Sequence, residues 1–520
     1  MFILLTFLLF LKIDFRFTSE IYCCSDDFDY FIHAETIAID FDLDYSNQLK
    51  NIESKRFYKN GIPAPIGFFG SGLLSAPFLF LGNLLDKLVG TTSINGNLMN
   101  YKIFVYSLSS IFYLFLTVNF IEKTLEELKI KFRFSQLLIF FTASGIIYYA
   151  FERFSMTHVY ESFMASLILY FSSKFYNSYN KNNFYSILIP ISISIGLMVR
   201  WTNYYLFLLP LVIKLMTGSE KKLLKSLYFY FSSLFSIIIF FGHTKAIYGV
   251  FTFDPRYVYL KENVSLDSIL IDSQVSNIFL SYLESFVNIL FTQEFGIFYF
   301  SPIIFLSLVL IVYSFFYKLI TKRNIDILSS ILLLAYGQVF FTVIIWKSTA
   351  SAYGFRYLLT LSSLSIICYF YFLDKYKFKS INRFLLTISI FSLLSVLFFE
   401  TTAGTQLSLE PTLNSFGKQS RYTSRYYLTE LMDSFFVLTS YLKIFTTSFL
   451  GAVIFKGLII FVGNNELIDF LSTYGLPVNN PDFIIYLDEL SSITIDKFIF
   501  AVLVGVVISS SVLKKVKNSK

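Results

Sequence analysis

Long apolar segments recur along this chain, and they constrain its fold more than any other feature of the sequence. A helix needs about 17–25 mostly apolar residues to cross a bilayer, and only helices or closed barrels satisfy their backbone hydrogen bonds in lipid. We therefore predict an all-α, polytopic transmembrane helical bundle. Counting a shorter first helix at 1–13, we expect about twelve spans, the others near 101–121, 135–151, 159–176, 184–200, 203–217, 226–249, 295–317, 327–345, 357–373, 384–399 and 495–513.

The composition excludes a soluble enzyme built on one large core. Hydrophobic residues make up 55% of the 520 residues and charged residues only 15%, whereas a soluble domain carries about 25% charged residues. Of the three cysteines, Cys23 and Cys24 are adjacent, so no disulfide framework is predicted. The sequence has no Walker A, dinucleotide or zinc motif, and we predict no cofactor and no nucleic-acid partner.

The basic residues are distributed unevenly between the loops. With the N-terminus inside, the short inner segments are 122–134, 174–182, 214–225, 318–326, 374–383 and the tail from Lys514. They carry 21 Lys and Arg but only six Asp and Glu, while the rest of the chain holds 21 basic and 29 acidic residues. Because short cytoplasmic loops are rich in Lys and Arg, we predict that the long loops 14–100, 250–294 and 400–494 lie outside and hold the function.

Two apolar stretches are left out of the predicted spans. Residues 66–85 contain four glycines and Pro77, which favours a short interfacial or re-entrant helix. Residues 444–462 are placed along the outer surface or in half of a hairpin, because a single crossing would put the basic tail outside. We divide the chain into a transmembrane region, 1–399, and a region, 400–520, with an outer loop, an interfacial helix and the last transmembrane helix.

An acidic cluster follows the first apolar segment. Asp26 and Asp27 stand in CSDDFDYFIHAETI, a few residues beyond the first predicted helix. A carboxylate that is partly desolvated at a membrane boundary can act as a general base near neutral pH. A solvated acidic loop explains the same pattern, and both interpretations stay open on spacing alone.

A second ionisable cluster lies in the next outer turn, YYAFERFSMTHVYESF. His158 and Glu161 are three residues apart there and would project together on a helix. Ionisable groups so near hydrocarbon usually face the protein interior or a wet cavity, so both are candidate catalytic residues. A satisfied pair of groups at a helix end is the alternative.

Four basic residues are candidates for binding a phosphate group. Arg356 opens an apolar segment in YGFRYLL and Arg200 ends one in LMVRWTN, and a guanidinium fork matches phosphate oxygens. Arg56 and Lys59 precede the 66–85 stretch, where basic side chains can reach lipid headgroups. Snorkelling or anchoring at the interface accounts for each of them taken alone.

The order of these segments resembles the GT-C superfamily of membrane glycosyltransferases, nearest to its protein O-mannosyltransferase and lipid A aminoarabinose-transferase type. SDDFDYFIHAETI places Asp26, Asp27, Tyr30, Ala34 and Ile37 where that family has its signature after the first helix. The segments similar to later family motifs are FDLDYSN, the Gly- and Pro-containing stretch 61–77, SMTHVYESF, LMVRWTN, FGIFYFSPII and YGFRYL. The similarity covers most of residues 1–375.

The resemblance implies GT-C-like outer juxtamembrane helices and an inverting sugar transfer from a polyprenyl-phosphate donor to an extracytoplasmic acceptor. It implies that Asp26 or Asp27 is the base on the acceptor hydroxyl; the family's second acid is often Glu, and the Asp at 27 leaves open which of the two acts. His158 or Glu161 would be a second polar group. The residues implied to bind the departing phosphate are Arg356, Arg200, Lys59 and Arg56. The implied location is the bacterial inner membrane, with the site on its outer side. The resemblance also implies a reaction that needs no metal.

Two other classes of function stay open. One is a transporter or lipid flippase, which usually has polar groups at the membrane midplane and two related halves; here the charges cluster at the outer edge and no half-repeat is visible. The other is an O-antigen polymerase- or ligase-like protein, against which the acidic loop directly after the first helix argues.

Overall fold

The computed structural model is almost entirely helical in the residues that it describes, which are 2–11, 21, 26–50, 52, 57–59, 61–94, 97–177, 184–259, 275–293, 296–345, 353–403, 432, 435–436, 441, 444–446, 448–473 and 481–518. This confirms the predicted all-α class. The described strands form two short antiparallel hairpins: β1 (Tyr58–Lys59) with β2 (Ile62–Pro63), and β3 (Thr92–Ile94) with β4 (Asn97–Met99).

The helices are numbered in chain order over the described residues. The first eleven are α1 (Phe2–Phe10), α2 (Asp26–Glu35), α3 (Phe69–Val89), α4 (Tyr101–Glu127), α5 (Phe134–Phe141), α6 (Ile147–Phe151), α7 (His158–Asn177), α8 (Phe184–Val199), α9 (Leu209–Thr217), α10 (Leu227–Tyr248) and α11 (Arg256–Tyr259). The others are α12 (Val275–Phe291), α13 (Ile297–Phe300), α14 (Pro302–Lys322), α15 (Ile327–Ile345), α16 (Ser362–Tyr376), α17 (Lys379–Ala403), α18 (Phe449–Val462), α19 (Asn464–Thr473), α20 (Pro481–Ser492) and α21 (Ile495–Asn518).

Nine helical segments in the described part of the chain are long and apolar enough to cross a membrane, so this is an integral membrane protein. They are Phe69–Val89, Tyr101–Glu127, Phe134–Phe151, Leu227–Tyr248, Pro302–Lys322, Ile327–Ile344, Arg356–Tyr376, Ser380–Phe398 and Ile495–Asn518. All but the first coincide with predicted spans. The pair α18 and α19 would add a tenth if the two were one span, but they are bent by 110° relative to each other.

Four predicted spans are not among these nine. The described part of α1 has nine residues, and α8 and the Tyr204–Thr217 segment are shorter than a full crossing. Helix α7 has 20 residues but is less apolar, because its first turn carries His158 and Glu161. The count of twelve spans therefore stays a prediction.

The 66–85 stretch differs from the short helix that its glycines and proline suggested. It forms most of α3, a continuous helix of 21 residues with Pro77 on its exposed side. A Cβ atom at Gly70 would lie 2.3 Å from the backbone nitrogen of Val199, and one at Gly72 would lie 2.4 Å from the Cβ of His33. The glycines thus permit close packing against α8 and α2 rather than interrupting the helix.

Helix α3 runs antiparallel to α4 along the first half of that helix. A Cβ atom at Gly82 would lie 2.8 Å from the Cα of Lys102, while Tyr113 donates a hydrogen bond of 3.0 Å to the carbonyl of Leu74. Because α3 begins at Phe69 and α4 continues to Glu127, the last turns of α4 extend past the start of α3. This places α3 and α2 together at the end of the bundle where α4 begins.

Hydroxyl groups join the helices of the core. Ser109 on α4 is 2.7 Å from the Tyr160 hydroxyl on α7, and Ser363 on α16 donates a bond of 2.7 Å to the carbonyl of Ser162. Such small side chains let helices approach closely, and their hydroxyls find partners within the bundle.

Most of the described part of 444–462 is α18, which begins beside α1. The Phe449 amide donates to the Leu11 carbonyl at 2.7 Å, and Lys456 donates to the Ser491 carbonyl of α20 at 3.0 Å. Helix α18 therefore leads toward the start of α21 and packs beside α20. Residues 404–431 of the predicted outer loop lie outside the described residues.

Candidate functional site

Four segments that are distant in sequence meet at one end of the bundle. They are the first turn of α2, the turn between α6 and α7, the residues that follow α8, and the 3₁₀ turn Arg356–Leu361 that precedes α16. Each places charged side chains where a helix begins or ends, because a charge farther along the helix would be surrounded by hydrocarbon.

Asp26 and Arg356 form an ion pair of which only the carboxylate reaches solvent. The Nη2 atom of Arg356 donates a hydrogen bond of 3.0 Å to Oδ2 of Asp26, and the two residues are 330 positions apart. The Asp26 side chain is 45% exposed, whereas that of Arg356 is 8% exposed. Buried Nε of Arg356 has no acceptor among the described residues. The arrangement thus presents a solvent-accessible carboxylate beside a buried cation.

Asp27 lies in a different environment. Arg153 donates to its Oδ2 atom from Nε, at 2.9 Å, and from Nη2. The Ser155 hydroxyl donates to the backbone carbonyl of Asp27 at 2.7 Å. Both side chains of this ion pair are buried. The Asp27 carboxylate therefore ties the start of α2 to the turn between α6 and α7.

Glu161 is the centre of another cluster, made of hydrogen-bond donors that belong to neither of these two ion pairs, and its side chain is fully buried. It accepts hydrogen bonds from Thr157 at 2.6 Å, from Arg200 at 3.1 Å and from Asn203 at 3.0 Å. Nδ1 of His158 lies 3.3 Å from the same carboxylate. A buried carboxylate needs this many donors to offset its desolvation, and it holds Arg200 in place.

The Tyr357 ring links the Asp26–Arg356 pair to the cluster around Glu161. The guanidinium carbon of Arg200 lies 4.1 Å from the ring centroid and that of Arg356 lies 4.9 Å from it. Arg356 also donates to the Tyr357 hydroxyl at 3.0 Å. Cation–π contacts of this length are attractive, so the ring allows two arginines to lie near one another.

His33 fixes the other end of α2. Its Nε2 lies 2.8 Å from the Gly67 carbonyl and its Nδ1 lies 2.7 Å from the Tyr45 hydroxyl. With Nε2 donating to the carbonyl, Nδ1 accepts from Tyr45. Burial lowers the pKa of His33 to about 3. The neutral imidazole thus fastens α2 to the segment that leads into α3.

The structure brings five of the eight predicted site residues into this ionisable site and leaves one at its edge. Asp26, Asp27, Glu161, Arg200 and Arg356 carry the ion pairs, and His158 lies beside Glu161. Arg56 lies outside the described residues; Lys59 lies in β1, and only its backbone is described. Within the described ranges, no group of three His, Cys, Asp or Glu side chains could hold a metal ion.

Sequence reasoning missed Asn203 and Tyr357 and did not select Arg153. Tyr357 directly follows Arg356, and Asn203 stands three residues after Arg200. Those positions were the available signal, but sequence proximity does not predict the contact of Asn203 with Glu161 or of the Tyr357 ring with Arg200. Comparison with protein-family models, with curated proteins and with solved structures finds no match.

Proposed function

We propose that this protein is a membrane glycosyltransferase of the GT-C type. It moves a hexosyl or pentosyl group from a polyprenyl-phosphate donor to an extracytoplasmic glycan, lipid or protein, with inversion. The observation that supports this most is the Asp26–Arg356 pair, which combines an exposed carboxylate with a buried cation. The proposed location is the bacterial inner membrane, with the site facing outward.

Asp26 is the general base in this proposal. The acceptor hydroxyl oxygen attacks the anomeric carbon on the face opposite the phosphate, a bond forms between them, and the carbon–oxygen bond to the phosphate breaks. The hydroxyl proton passes to Asp26, and the bonding electrons leave with the polyprenyl phosphate. A positioned base contributes about 10²–10⁴-fold to such a step.

Arg356 stabilises the departing phosphate. Its Nη2 atom donates to Asp26 and Tyr357, while Nε has no acceptor among the described residues, so the guanidinium fork keeps donor capacity for phosphate oxygens. Negative charge that grows on the phosphate is then met by a cation already in place. Arg200 adds positive charge beside the same Tyr357 ring, and Lys59 and Arg56 are proposed to contact the donor from the outer loop.

The remaining candidates act as positioning residues. Asp27 is engaged by Arg153, and Glu161 by Arg200, Thr157 and Asn203. Both carboxylates are buried, as is His158. Their burial favours a function in holding Asp26 and Arg356 in place over direct contact with the acceptor.

The test uses full-length protein in proteoliposomes and a panel of polyprenyl-phosphate hexoses and pentoses. Release of polyprenyl phosphate is measured for wild type, Asp26→Asn and Asp44→Asn. Asp44 is an exposed carboxylate in the same outer loop, so its variant controls for loop charge. We expect turnover to fall about 10²–10⁴-fold in Asp26→Asn and to stay unchanged in Asp44→Asn. Equal turnover in all three proteins would refute the proposal.

A further inference from the structure

A basic pocket lies between the end of α4, the start of α5 and the junction of α16 with α17. Its volume is about 620 Å³, within the range of small-molecule sites. Four cationic side chains line it, Lys131, Arg133, Lys377 and Arg383, together with one acid, Asp374. None of the four forms an ion pair with a described residue. The pocket is therefore strongly positive.

Backbone dipoles add to this charge. Gln136 lies in the first turn of α5, and Asn382 and Arg383 lie near the first turn of α17. The N-terminal end of a helix carries partial positive charge and exposed amide groups, which favour anions. Two helix starts and four cations thus line one cavity. A loop that is only solvated does not need so much positive charge in one place.

The pocket lies at the opposite end of the bundle from the Asp26–Arg356 pair. Arg133 precedes the helical segment Phe134–Phe151, and Arg153 follows its far end. Arg356 begins the segment Arg356–Tyr376, and Lys377 follows it. Segments of 18 and 21 residues span about 30 Å at the helical rise, which matches the hydrocarbon thickness of a bilayer. The pocket and the proposed active site therefore face opposite sides of the membrane.

Apolar groups adjoin the charges. Leu373, Phe378 and Leu386 line the same pocket. Phe134, the residue after Arg133, lines a separate apolar cavity of about 390 Å³ that is bordered by α1, α4, α5, α17 and α21. The basic pocket and the apolar cavity are thus lined by consecutive residues, Arg133 and Phe134. A ligand with a phosphate and an acyl chain would find a charged surface for the first and an apolar surface for the second.

We propose that this basic pocket binds the phosphate headgroup of an anionic membrane lipid. Basic pockets between transmembrane helices on the positively charged face of a membrane protein suit such headgroups. A soluble organic phosphate offers the same anionic group without the chain, and the experiment distinguishes the two sources. The proposal does not depend on the glycosyltransferase function, because none of its residues belongs to the Asp26–Arg356 site.

The experiment titrates purified full-length protein in neutral detergent with fluorescent phosphatidylglycerol, and with fluorescent phosphatidylcholine as the zwitterionic comparison. Two double variants remove pocket charge: Arg133→Gln with Arg383→Gln, and Lys131→Gln with Lys377→Gln. The matched control, Lys222→Gln with Lys225→Gln, removes the same charge from another predicted inner loop. All six side chains are exposed, so the fold should be unaffected, and size-exclusion profiles check this.

We expect phosphatidylglycerol to bind wild type and the control equally, and roughly 30-fold more weakly to each pocket variant. Glycerol 3-phosphate should fail to displace it. Equal binding by pocket variants and control would overturn the site. Equal binding of phosphatidylcholine, or displacement by glycerol 3-phosphate at matched concentration, would overturn its assignment to an anionic lipid.

Discussion

Asp26 and Asp27 are adjacent in the chain, yet each is held by a different arginine from a different segment. Asp26 accepts from Arg356 and keeps a 45% exposed side chain, while Asp27 accepts from Arg153 and is 10% exposed. Successive residues at a helix start project about 100° apart, so one carboxylate faces solvent and the other faces the bundle. This difference supports Asp26 over Asp27 as the proposed base, a question that the sequence left open.

Asp27→Asn should reduce stability more than Asp26→Asn. It removes the carboxylate that accepts two hydrogen bonds from buried Arg153, and breaking a buried pair costs about 3–5 kcal/mol. Thermal unfolding in detergent measures the difference. At a temperature where both variants are folded, Asp27→Asn should retain more turnover than Asp26→Asn. The reverse order of turnover would make Asp27 the base.

Glu161→Gln should destabilise the protein and displace Arg200. The amide keeps the shape of the side chain but removes the charge that compensates buried Arg200, a loss of about 3–5 kcal/mol. Glu127→Gln is the control, since Glu127 pairs with Lys174 where both side chains are partly exposed and such pairs contribute about 0–1 kcal/mol. Adding Arg200→Gln to Glu161→Gln should recover part of the lost stability. Similar melting temperatures for the two single variants would contradict this.

Gly70→Ala should lower stability, because its Cβ would lie 2.3 Å from the Val199 amide at the end of α8. Overpacking of this kind costs about 1–3 kcal/mol, and the displaced backbone directly precedes Arg200. Gly242→Ala in α10 is the control, because nothing lies within 4 Å of its Cβ position. That variant should be neutral or gain about 0.4–1 kcal/mol. A melting temperature for Gly70→Ala at or above wild type would show that α3 and α8 are not packed this closely.

His33 should make stability depend on pH. Burial lowers its pKa from 6.5 to about 3 in the folded protein, so below pH 6.5 the unfolded chain binds a proton that the folded chain excludes. The contribution of neutral His33 to the free energy of unfolding is complete above pH 6.5 and is lost as the pH falls toward 3. At pH 5.5 the free energy of unfolding is lower by about 1.4 kcal/mol.

The melting temperatures of wild type and His33→Gln should be compared at pH 7.5 and pH 5.5. The variant should lose less stability between these two values, because its side chain does not titrate. An identical decrease in both proteins would show that His33 does not contribute to this pH dependence.

Cysteine labelling should place the two ends of the bundle on opposite sides of the membrane. In a background without native cysteines, Asp44→Cys should react with an impermeant maleimide in intact cells, and Lys222→Cys only after the membrane is opened. Both positions are exposed. The opposite pattern would reverse the orientation that the charge distribution predicts.

Much of the architecture was readable from the sequence, because the requirement for long apolar helices is local. Eight candidate spans coincide with predicted segments. The prediction failed on the form of α3, where glycines read as helix breakers instead allow contact with Val199 and His33. Whether a glycine interrupts a helix or permits its packing depends on the neighbour, which composition does not specify.

The sequence by itself determined an all-helical membrane chain, its uneven charge and a short list of ionisable residues near helix ends. Hydrophobicity and charge sign act residue by residue, so they are visible without a fold. Only the tertiary structure decided the pairing of Asp26 with Arg356, of Asp27 with Arg153 and of Glu161 with Arg200. Each pair joins segments at least 39 residues apart, and which partners meet depends on how the helices pack.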